Sequence, residues 1–353
     1  MNTYIVGNGF VAGHLPYQKI PDRLNPNNIS KVLEKYEPNT IINCIGFCGV
    51  KNIDQCEIDI ENTITANTII PTMLALECDR LGIHCITIGS GCVYSGSSLQ
   101  NIYKLMPDQN GTFYPDEVNP FQPYASVGVD TGWIETNPAN PQSHYSRTKY
   151  ACDLALERIP SSTVLRIRMP ISDRDTPRNL INKLKNYKQI IDIPNSVTFM
   201  TDLVRCVEWA VQNRPGGIWH VTNPQPLSAV QIMTEYQKYD PNHQFDIIDE
   251  KQLDLITTAK RSNCILDSNK LKLAGFKMSD SIQSLESCME RYCKMLVVSG
   301  NPCPCHDCAS IQERMMGRMI LCPVCGNKRC PRAANHINAC TGSNEPGQPG
   351  SLY

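Results

Sequence analysis

The sequence has almost no net charge: 33 lysines and arginines against 34 aspartates and glutamates leave −1 over 353 residues. A chain this balanced has no overall field that would draw it to nucleic acid or to an anionic membrane. It also lacks any stretch approaching the roughly 20 consecutive apolar residues of a membrane span. Its start, MNTYIVGNGF, has no basic segment followed by a long apolar core. We therefore expect no secretion signal and a cytoplasmic protein with no membrane or nucleic-acid partner.

The composition is that of a globular protein with a core, at 41% hydrophobic and 19% charged residues. Apolar runs typical of strands occur at 3–7, 40–46 and 84–90, and a helix-like segment occupies 68–82. Alternation of this kind predicts a parallel sheet covered by helices on both faces. The expected fold is therefore a Rossmann-like, doubly wound α/β fold.

Changes in composition divide the chain into parts. We predict an NAD(P)-binding domain over 1–298, in which 168–298 forms most of a smaller C-terminal substrate-binding part. A Cys-rich module follows at 299–342, and a Gly/Pro-rich disordered tail at 343–353. The Pro-, Asn- and Gly-rich segment 97–143 is typical of a long functional loop, such as a lid.

A glycine turn follows the first predicted strand. Gly7, Gly9 and Ala12 have G-x-G-x-x-A spacing and should open a βα unit, whose helix N-terminus favours a pyrophosphate. The turn predicts dinucleotide binding, with a plain structural turn as the alternative. After the second strand, Asp22 would favour NAD and Arg23 the 2′-phosphate of NADP. We predict NADPH through Arg23, and NADH is the alternative.

Tyr145 and Lys149 lie one helical turn apart in HYSRTKYA, so their side chains share a face. A nearby ammonium lowers the pKa of a phenol, which can then exchange a proton with a carbonyl while hydride moves. Ser90, at the end of a strand, can donate a hydrogen bond to the same carbonyl oxygen. The three residues therefore predict a catalytic set for carbonyl reduction.

With the glycine turn, this set makes the chain resemble an extended short-chain dehydrogenase/reductase. Further segments resemble one group of that superfamily: GVKNIDQCE (49–57), SGCVY (90–94), YSRTK (145–149), LRIRMPIS (165–172), TPRNLINKL (176–184), GIWHVTNP (217–224) and RSNCILD (261–267). That group is the nucleotide-rhamnose synthases, which are 3,5-epimerase/4-reductases of plants and giant viruses related to dTDP-4-dehydrorhamnose reductase. The resemblance spans about residues 3–295.

The resemblance implies a UDP- or dTDP-linked 4-keto-6-deoxyglucose as substrate and a nucleotide-linked L-rhamnose as product. The ketone acidifies the hydrogens on both neighbouring carbons, so inversion needs one group to remove a proton and another to return one. The family assigns these roles to a Cys and a Lys, which match Cys92 and Lys183. A reductase for an already epimerised sugar is the alternative enzyme. A non-catalytic dinucleotide sensor is the alternative outside enzymes.

Other candidates have weaker support. Asn67 resembles a family asparagine near the nicotinamide, although a helix cap would explain it equally. The predicted substrate-binding residues are Arg168, Arg178, Asn179, Asn195 and Arg261. Arginine matches phosphate oxygens in paired hydrogen bonds, and surface ion pairs are the alternative. A homodimer is left open.

Seven of the 18 cysteines crowd into 303–340. The predicted zinc ligands are Cys322, Cys325, His336 and Cys340, which have zinc-site spacing. Alternative ligands are Cys305, Cys308 and Cys330. A segment this short lacks a core, so a metal would supply much of its folding free energy. Redox thiols or a disordered tail are the alternatives.

The final segment, RMMGRMILCPVCGNKRCP…CTGSNEPGQPGS, resembles the Cys-rich C-terminus of many small proteins of tailed bacteriophages. This second resemblance covers about the last 45 residues. It implies a phage or prophage origin and a location in the host cytoplasm, and it implies no activity.

Overall fold

A computed structural model describes residues 2–50, 52–96, 132–299, 320–322, 324–335 and 338–352. The predicted loop 97–143 is therefore described only from residue 132 onward. The chain forms two compact units, one of Met1–Ser172 with Thr176–Glu286 and one of Asp173–Asp175 with Ser287–Tyr353. The predicted division at 298 and 342 stays a prediction.

The strands are β1 (Thr3–Val6), β2 (Gln18–Lys19), β3 (Thr40–Asn43), β4 (His84–Ser90), β5 (Ser162–Ile167), β6 (Pro170–Ile171), β7 (Gln189–Ile191), β8 (Thr198–Phe199), β9 (Gly217–Val221) and β10 (Asp246–Ile248). Six of them form a parallel sheet in the order β2-β1-β3-β4-β5-β9. This confirms the predicted Rossmann-like parallel sheet, and β4 coincides with the predicted strand at 84–90. The remaining strands form two small parallel pairs, β6 with β8 and β7 with β10.

The helices are α1 (Ile29–Tyr36), α2 (Ile60–Ile64), α3 (Ile70–Arg80), α4 (His144–Leu156), α5 (Leu180–Lys185), α6 (Met200–Asn213), α7 (Ala229–Gln237), α8 (Glu250–Ile256), α9 (Asn269–Leu273), α10 (Ser281–Ser299) and α11 (Pro331–Ala334). Short 3₁₀ turns occupy Ile53–Glu57 and Gly91–Val93. Within the described part of the chain, none of these helices is long and apolar enough to cross a membrane.

Helices cover both faces of the central sheet. Ile5, Ile42 and Ile86 pack into one buried cluster with residues of α6. Their strand neighbours Ile41 and Cys85 pack into a second cluster with residues of α1, α3 and α4. Because successive strand residues point to opposite faces, the near-continuous apolar runs of the strands supply both clusters.

The glycine turn does not open a helix, contrary to the sequence-based prediction. Between β1 and β2 a single turn forms, in which the Gly13 N–H donates to the Gly9 carbonyl at 3.1 Å. Gly13 has a high backbone entropy cost in a helix, and Pro16 cannot donate a helical hydrogen bond. His14 then ties the turn to the Ser172 hydroxyl at 2.7 Å.

The predicted helix 68–82 begins earlier than expected. A π-helical segment, Thr65–Ile69, joins α2 to α3, so the helical run extends from Ile60 to Arg80. Pro71 has no N–H to donate to the carbonyl four residues back, and a π turn is one way for a helix to accommodate this. Asn67 is therefore buried inside the π segment.

Candidate active site

The strand order reverses at β1, whose two neighbours β2 and β3 lie on opposite sides. Doubly wound sheets bind ligands beyond the carboxyl ends of their strands at such a reversal. The loop after β1 carries Gly7, whose φ is +99° and whose added Cβ would lie 2.8 Å from the Cys44 carbonyl carbon. An added Cβ on Gly9 would meet nothing within 4 Å. Only glycine at position 7 lets the two loops approach, while Gly9 leaves backbone accessible to a ligand.

Asp22 and Arg23 lie in the loop that follows β2. The Asp22 carboxylate accepts hydrogen bonds from the Tyr36 hydroxyl at 2.6 Å and from Lys35 Nζ at 3.1 Å. The Tyr36 hydrogen bond and then the Lys35 contacts lower the pKa of Asp22. Asp22 is thus engaged by α1, whereas the Arg23 side chain is exposed. Arg23 as a contact to the 2′-phosphate stays a prediction.

Tyr145 lies in the first turn of α4. Ser143 and Ser146 begin this helix with a capping box, and the His144 N–H donates to Glu57 Oε1 at 2.7 Å. These contacts fix the start of the helix, and therefore the position of Tyr145, against the 3₁₀ turn before α2.

The Tyr145 hydroxyl lies beside Ser90 and two thiols. Burial raises the pKa of Tyr145, the Cys92 and Cys48 thiols raise it further, and a hydrogen bond with Ser90 opposes the rise. The direction differs from the lowering that the Tyr–Lys spacing predicted, because burial outweighs the other effects. A phenol with a raised pKa carries its proton near neutral pH, and that is the form needed to protonate a ketone oxygen.

Lys149, one turn further along α4, is buried beside the loop after β3. A Cβ added to Gly46 would lie 3.1 Å from Lys149 Nζ and 3.4 Å from Asn67 Oδ1. Asn67 accepts from the Phe47 N–H at 2.8 Å and donates to the Phe47 carbonyl at 2.9 Å. Asn67 therefore clamps the loop against which Lys149 lies, and it is not a helix cap.

Cys92 is held by a buried arginine. Arg168 Nη1 donates to Cys92 Sγ at 2.9 Å, and Nη2 donates to Asn195 Oδ1 at 2.7 Å and to the Ser262 carbonyl. Burial alone would lower the pKa of Arg168, but the Cys92 and Cys264 thiols raise it on balance. Two predicted substrate-binding residues, Arg168 and Asn195, thus contact each other and support the sulfur.

Lys183 lies on α5 in a second cationic cluster. Burial lowers the pKa of Lys183, and the positive charges of Arg178 and Arg261 act in the same direction, against Cys48. Arg178 Nη1 donates to Cys48 Sγ at 3.1 Å, and Nη2 donates to the Gly49 carbonyl at 2.7 Å. A lysine with a lowered pKa is a stronger candidate for a general base near neutral pH.

No sequence pattern pointed to Cys48. This thiol influences both Tyr145 and Lys183, and it accepts a hydrogen bond from Arg178. Its signal was its place just after β3, at the strand-order reversal, where side chains reach a ligand cleft. Because scattered cysteines are usually small buried core residues, Cys48 did not stand out as a functional candidate.

The other predicted substrate residues are engaged within the protein. Arg261 forms a two-pronged ion pair with Asp54, at 2.8 Å and 2.9 Å. Asn179 accepts from the Ser172 N–H at 3.1 Å and donates to the Ser172 carbonyl at 2.7 Å, so it clamps backbone. Arg261 remains partly exposed, with 23% of its side chain accessible.

Three of the four predicted zinc ligands, Cys322, Cys325 and Cys340, lie together in the second unit with Cys330, which had been only an alternative. His336 lies outside the described residues. So do Cys305 and Cys308.

The parallel sheet and the Ser–Tyr–Lys set define the class: an oxidoreductase of the short-chain dehydrogenase/reductase type. The family is more specific. A family model described as "RmlD substrate binding domain" matches residues 14–294, and the chain belongs to that family. The resemblance to rhamnose synthases and reductases found in the sequence is thereby confirmed.

The relatives agree with this assignment. The bifunctional dTDP-4-dehydrorhamnose 3,5-epimerase/dTDP-4-dehydrorhamnose reductase of Arabidopsis thaliana is 30% identical over 274 residues, covering 76% of this chain and 78% of that protein. The UDP-rhamnose synthase of Acanthamoeba polyphaga mimivirus has a similar fold, with a TM-score of 0.68 at 22% identity over 82% of this chain and 99% of that chain. The dTDP-4-dehydrorhamnose reductase of Bacillus anthracis, solved in complex with NADP, gives a TM-score of 0.62 at 19% identity over 82% of this chain and 97% of that chain.

Proposed function

We propose that this protein is an NADPH-dependent nucleotide-sugar 3,5-epimerase/4-reductase that converts a UDP- or dTDP-4-keto-6-deoxyglucose to the nucleotide-linked L-rhamnose. The observation that carries the proposal is the meeting of Ser90, Tyr145 and Cys92 at the carboxyl end of β4. A phenol, a hydroxyl and a thiol at one point combine the groups needed for reduction with one needed for epimerisation.

The residues present fit a nicotinamide dinucleotide. Gly7 permits the close loop approach, Gly9 leaves space over its Cα, and buried Ala12 packs the turn against the sheet. In this proposal Arg23 binds the 2′-phosphate, and Lys149 binds the ribose beside the nicotinamide. Bound NADPH supplies the hydride for the 4-ketone. A cofactor-bound relative, the Bacillus anthracis reductase with NADP, supports this assignment.

In the reduction, side chains of the protein supply the proton that the ketone oxygen receives. Tyr145 donates its phenolic proton to the C4 oxygen, and Ser90 hydrogen-bonds the same oxygen to orient it. The raised pKa of Tyr145, caused mainly by burial, keeps that proton in place before reaction. The Lys149 ammonium stabilises the phenolate that results.

In the epimerisation, the group around Lys183 and the group around Cys92 have different roles. Lys183, with its pKa lowered by burial, removes a proton from a carbon next to the ketone, and Cys92 returns one from its own side. Arg168 holds Cys92 through a hydrogen bond of 2.9 Å, and a guanidinium stabilises negative charge on sulfur after the proton has left. The name of the bifunctional Arabidopsis thaliana relative supports this second activity.

The nucleotide diphosphate needs cationic partners near these groups. Arg178 and the partly exposed Arg261 both lie close enough to Lys183 to influence its charge. Arg261 keeps its guanidinium fixed through Asp54, so it can meet a phosphate without first losing side-chain freedom. Asn179 and Asn195 support this site indirectly. Asn179 fixes backbone, and Asn195 fixes Arg168. The cytoplasmic location and the homodimer stay predictions.

The test is to incubate the purified chain with NADPH and each of the UDP- and dTDP-4-keto-6-deoxyglucose substrates and to identify products by NMR. The proposal expects NADPH consumption and an L-rhamnose product. Turnover only with a pre-epimerised 4-keto sugar would reduce the function to a 4-ketoreductase. Binding of NADPH without turnover of any of these sugars would contradict the proposal and favour a dinucleotide sensor.

A further inference from the structure

The second compact unit contains a cluster of four cysteines that the sugar chemistry does not use. Cys322, Cys325, Cys330 and Cys340 place their sulfurs within 4.8 Å of one another. The Cys322 and Cys340 sulfurs are 3.7 Å apart, and the Cys330 and Cys340 sulfurs are 3.8 Å apart. A disulfide requires about 2.05 Å, so these are four separate thiols.

These two separations match a tetrahedron of thiolates around one metal ion, and all four sulfurs lie within reach of one ion. A zinc–sulfur bond of about 2.3 Å in tetrahedral geometry places neighbouring sulfurs about 3.8 Å apart. We propose that Cys322, Cys325, Cys330 and Cys340 form a closed, structural zinc site. This ligand set replaces the His336-containing set that the sequence spacing predicted.

The backbone around the sulfurs is built for such a site. The Gly326 N–H donates to the Cys322 carbonyl at 2.8 Å, and the Cys322 N–H donates to the Asn327 carbonyl at 3.2 Å, which closes a tight loop between the first two ligands. Gly326 has a φ of +73°, a conformation that favours glycine, directly after Cys325. The loop therefore turns both sulfurs toward one point.

The third ligand, Cys330, also has supporting contacts. The Cys330 sulfur accepts hydrogen bonds from the backbone N–H groups of Arg332 and Thr341, and it lies 3.8 Å from the Thr341 hydroxyl oxygen. N–H and O–H donors to a sulfur stabilise the thiolate that binds a metal and orient its lone pairs. Cys330 is also the N-cap residue of the short helix α11.

Among the described residues, few apolar side chains pack around the sulfurs, so a metal would stabilise this part of the unit. The buried cluster around the sulfurs consists of Cys322, Cys330 and Ala333, with Cys325 and Cys340 packed against it. Within the described residues of this cluster, Ala333 is the one apolar side chain besides the cysteines, which is little area to order the loops around it. Zinc binding, with release of the thiol protons, would supply the missing folding free energy. Because all four positions are protein thiolates, the ion has no open position for catalysis and serves structure alone.

The chain after the last ligand depends on this arrangement. Asn327 Nδ2 donates to the Gly342 carbonyl at 3.1 Å, Gln348 Nε2 to the Arg329 carbonyl at 3.1 Å, and Asn338 Nδ2 to the Gly350 carbonyl at 3.2 Å. These contacts attach 342–350 to the loops that carry the ligands. Loss of the metal should therefore release the C-terminal segment as a whole.

The experiment measures metal in the full-length chain purified without added chelator, and compares Cys330→Ser with His336→Ala. We expect about one zinc per chain in the unaltered protein and in His336→Ala, and loss of zinc in Cys330→Ser. Cys293→Ala removes a thiol of the same unit outside the cluster and should keep the metal. Retention in Cys330→Ser with loss in His336→Ala would overturn the ligand set, and a zinc-free unaltered protein would overturn the site.

A second measurement covers the case in which Cys330→Ser fails to fold. Cobalt replaces zinc in the unaltered chain, where four thiolates in a tetrahedron give intense visible absorption and strong thiolate-to-metal charge transfer. A weak, octahedral cobalt spectrum would overturn the proposal without any variant. Limited proteolysis with and without chelator should show new cleavage confined to 320–352, and resistance unchanged by chelator would likewise contradict it.

Discussion

Arg168 donates a hydrogen bond to the sulfur of Cys92 across 2.9 Å, although 76 positions separate the two residues. The guanidinium is buried and is anchored on its other side by Asn195 and the Ser262 carbonyl. Burying a guanidinium costs free energy unless it is paired. A buried thiol with no special role needs no such charged partner. Cys92 shares this feature, an arginine donor, with Cys48, which accepts from Arg178, and the contact supports the proposed role of Cys92 in proton transfer.

Replacing Arg168 should separate the two reactions. In Arg168→Gln, epimerisation should fall roughly 10- to 100-fold, because one lost charge-assisted hydrogen bond is worth about 1.5–3 kcal/mol. Reduction of a pre-epimerised 4-keto sugar should change little. The measurement is deuterium exchange from solvent at C3 and C5, followed by NMR, beside NADPH consumption.

Two controls accompany this comparison. Arg168→Lys retains a cation and should recover part of the exchange, whereas Arg80→Gln removes only an exposed ion pair with Glu77 and should behave like the unaltered protein. Cys92→Ala should show the same split as Arg168→Gln in a stronger form. Equal losses of both reactions in Arg168→Gln would mean that the arginine is structural only.

Tyr145→Phe should have the opposite effect. Removing the phenolic proton should lower the rate of ketone reduction about 10²- to 10⁴-fold, the range typical of a lost general acid. Exchange at C3 and C5 should continue, because Lys183 and Cys92 remain. A variant that reduces the sugar at the normal rate would contradict the assignment of Tyr145 as proton donor.

The pH dependence of exchange should report Lys183. A general base must be neutral, and burial lowers the pKa of Lys183, so its neutral fraction appears at lower pH than for an ordinary lysine. Exchange should therefore rise with pH, with a midpoint below the ordinary lysine value of about 10.4. Lys183→Gln should abolish this rise, and Lys185→Gln on the same helix should retain it. An unchanged profile in Lys183→Gln would assign the titration to another group.

The two glycines of the turn after β1 should respond differently to alanine. Gly7→Ala forces a side chain onto a φ of +99° and places its Cβ 2.8 Å from backbone, so the free energy of unfolding should fall by about 1–3 kcal/mol. Gly9→Ala meets nothing within 4 Å and should leave that free energy within about 0.5 kcal/mol. Its Kd for NADPH should nevertheless rise about tenfold, because the methyl group occupies the space that a pyrophosphate needs. Thermal unfolding and fluorescence titration measure the two effects, and equal NADPH affinity in Gly9→Ala would contradict this cofactor site.

The sequence could predict those features that depend on neighbouring residues. β4 runs from His84 to Ser90 as predicted, because a buried parallel strand is a continuous apolar run. Tyr145 and Lys149 share a helix because their spacing is local. The helix expected after the glycine turn did not form, since Gly13 and Pro16 outweighed the motif.

The remaining features depend on partners far apart in the chain. Arg261 meets Asp54 across 207 positions, and Arg178 meets Cys48 across 130. No periodicity in the sequence reports such a pair, so the sequence left phosphate binding and ion pairing as alternatives for these arginines. The raised pKa of Tyr145 was missed for a related reason, because burial depends on the whole fold and the Tyr–Lys spacing does not reveal it.

The most direct test of the account follows a deuterium label. The protein is given NADPH carrying deuterium at the transferable position of the nicotinamide and a nucleotide-linked 4-keto-6-deoxyglucose, and the product is examined by NMR and mass spectrometry. The account predicts one deuterium at C4 of an L-rhamnose product. After the same incubation time, the Tyr145→Phe variant should leave C4 unlabelled. Tight binding of the labelled cofactor with no transfer of deuterium to the sugar would contradict the central claim that these residues form a reductase.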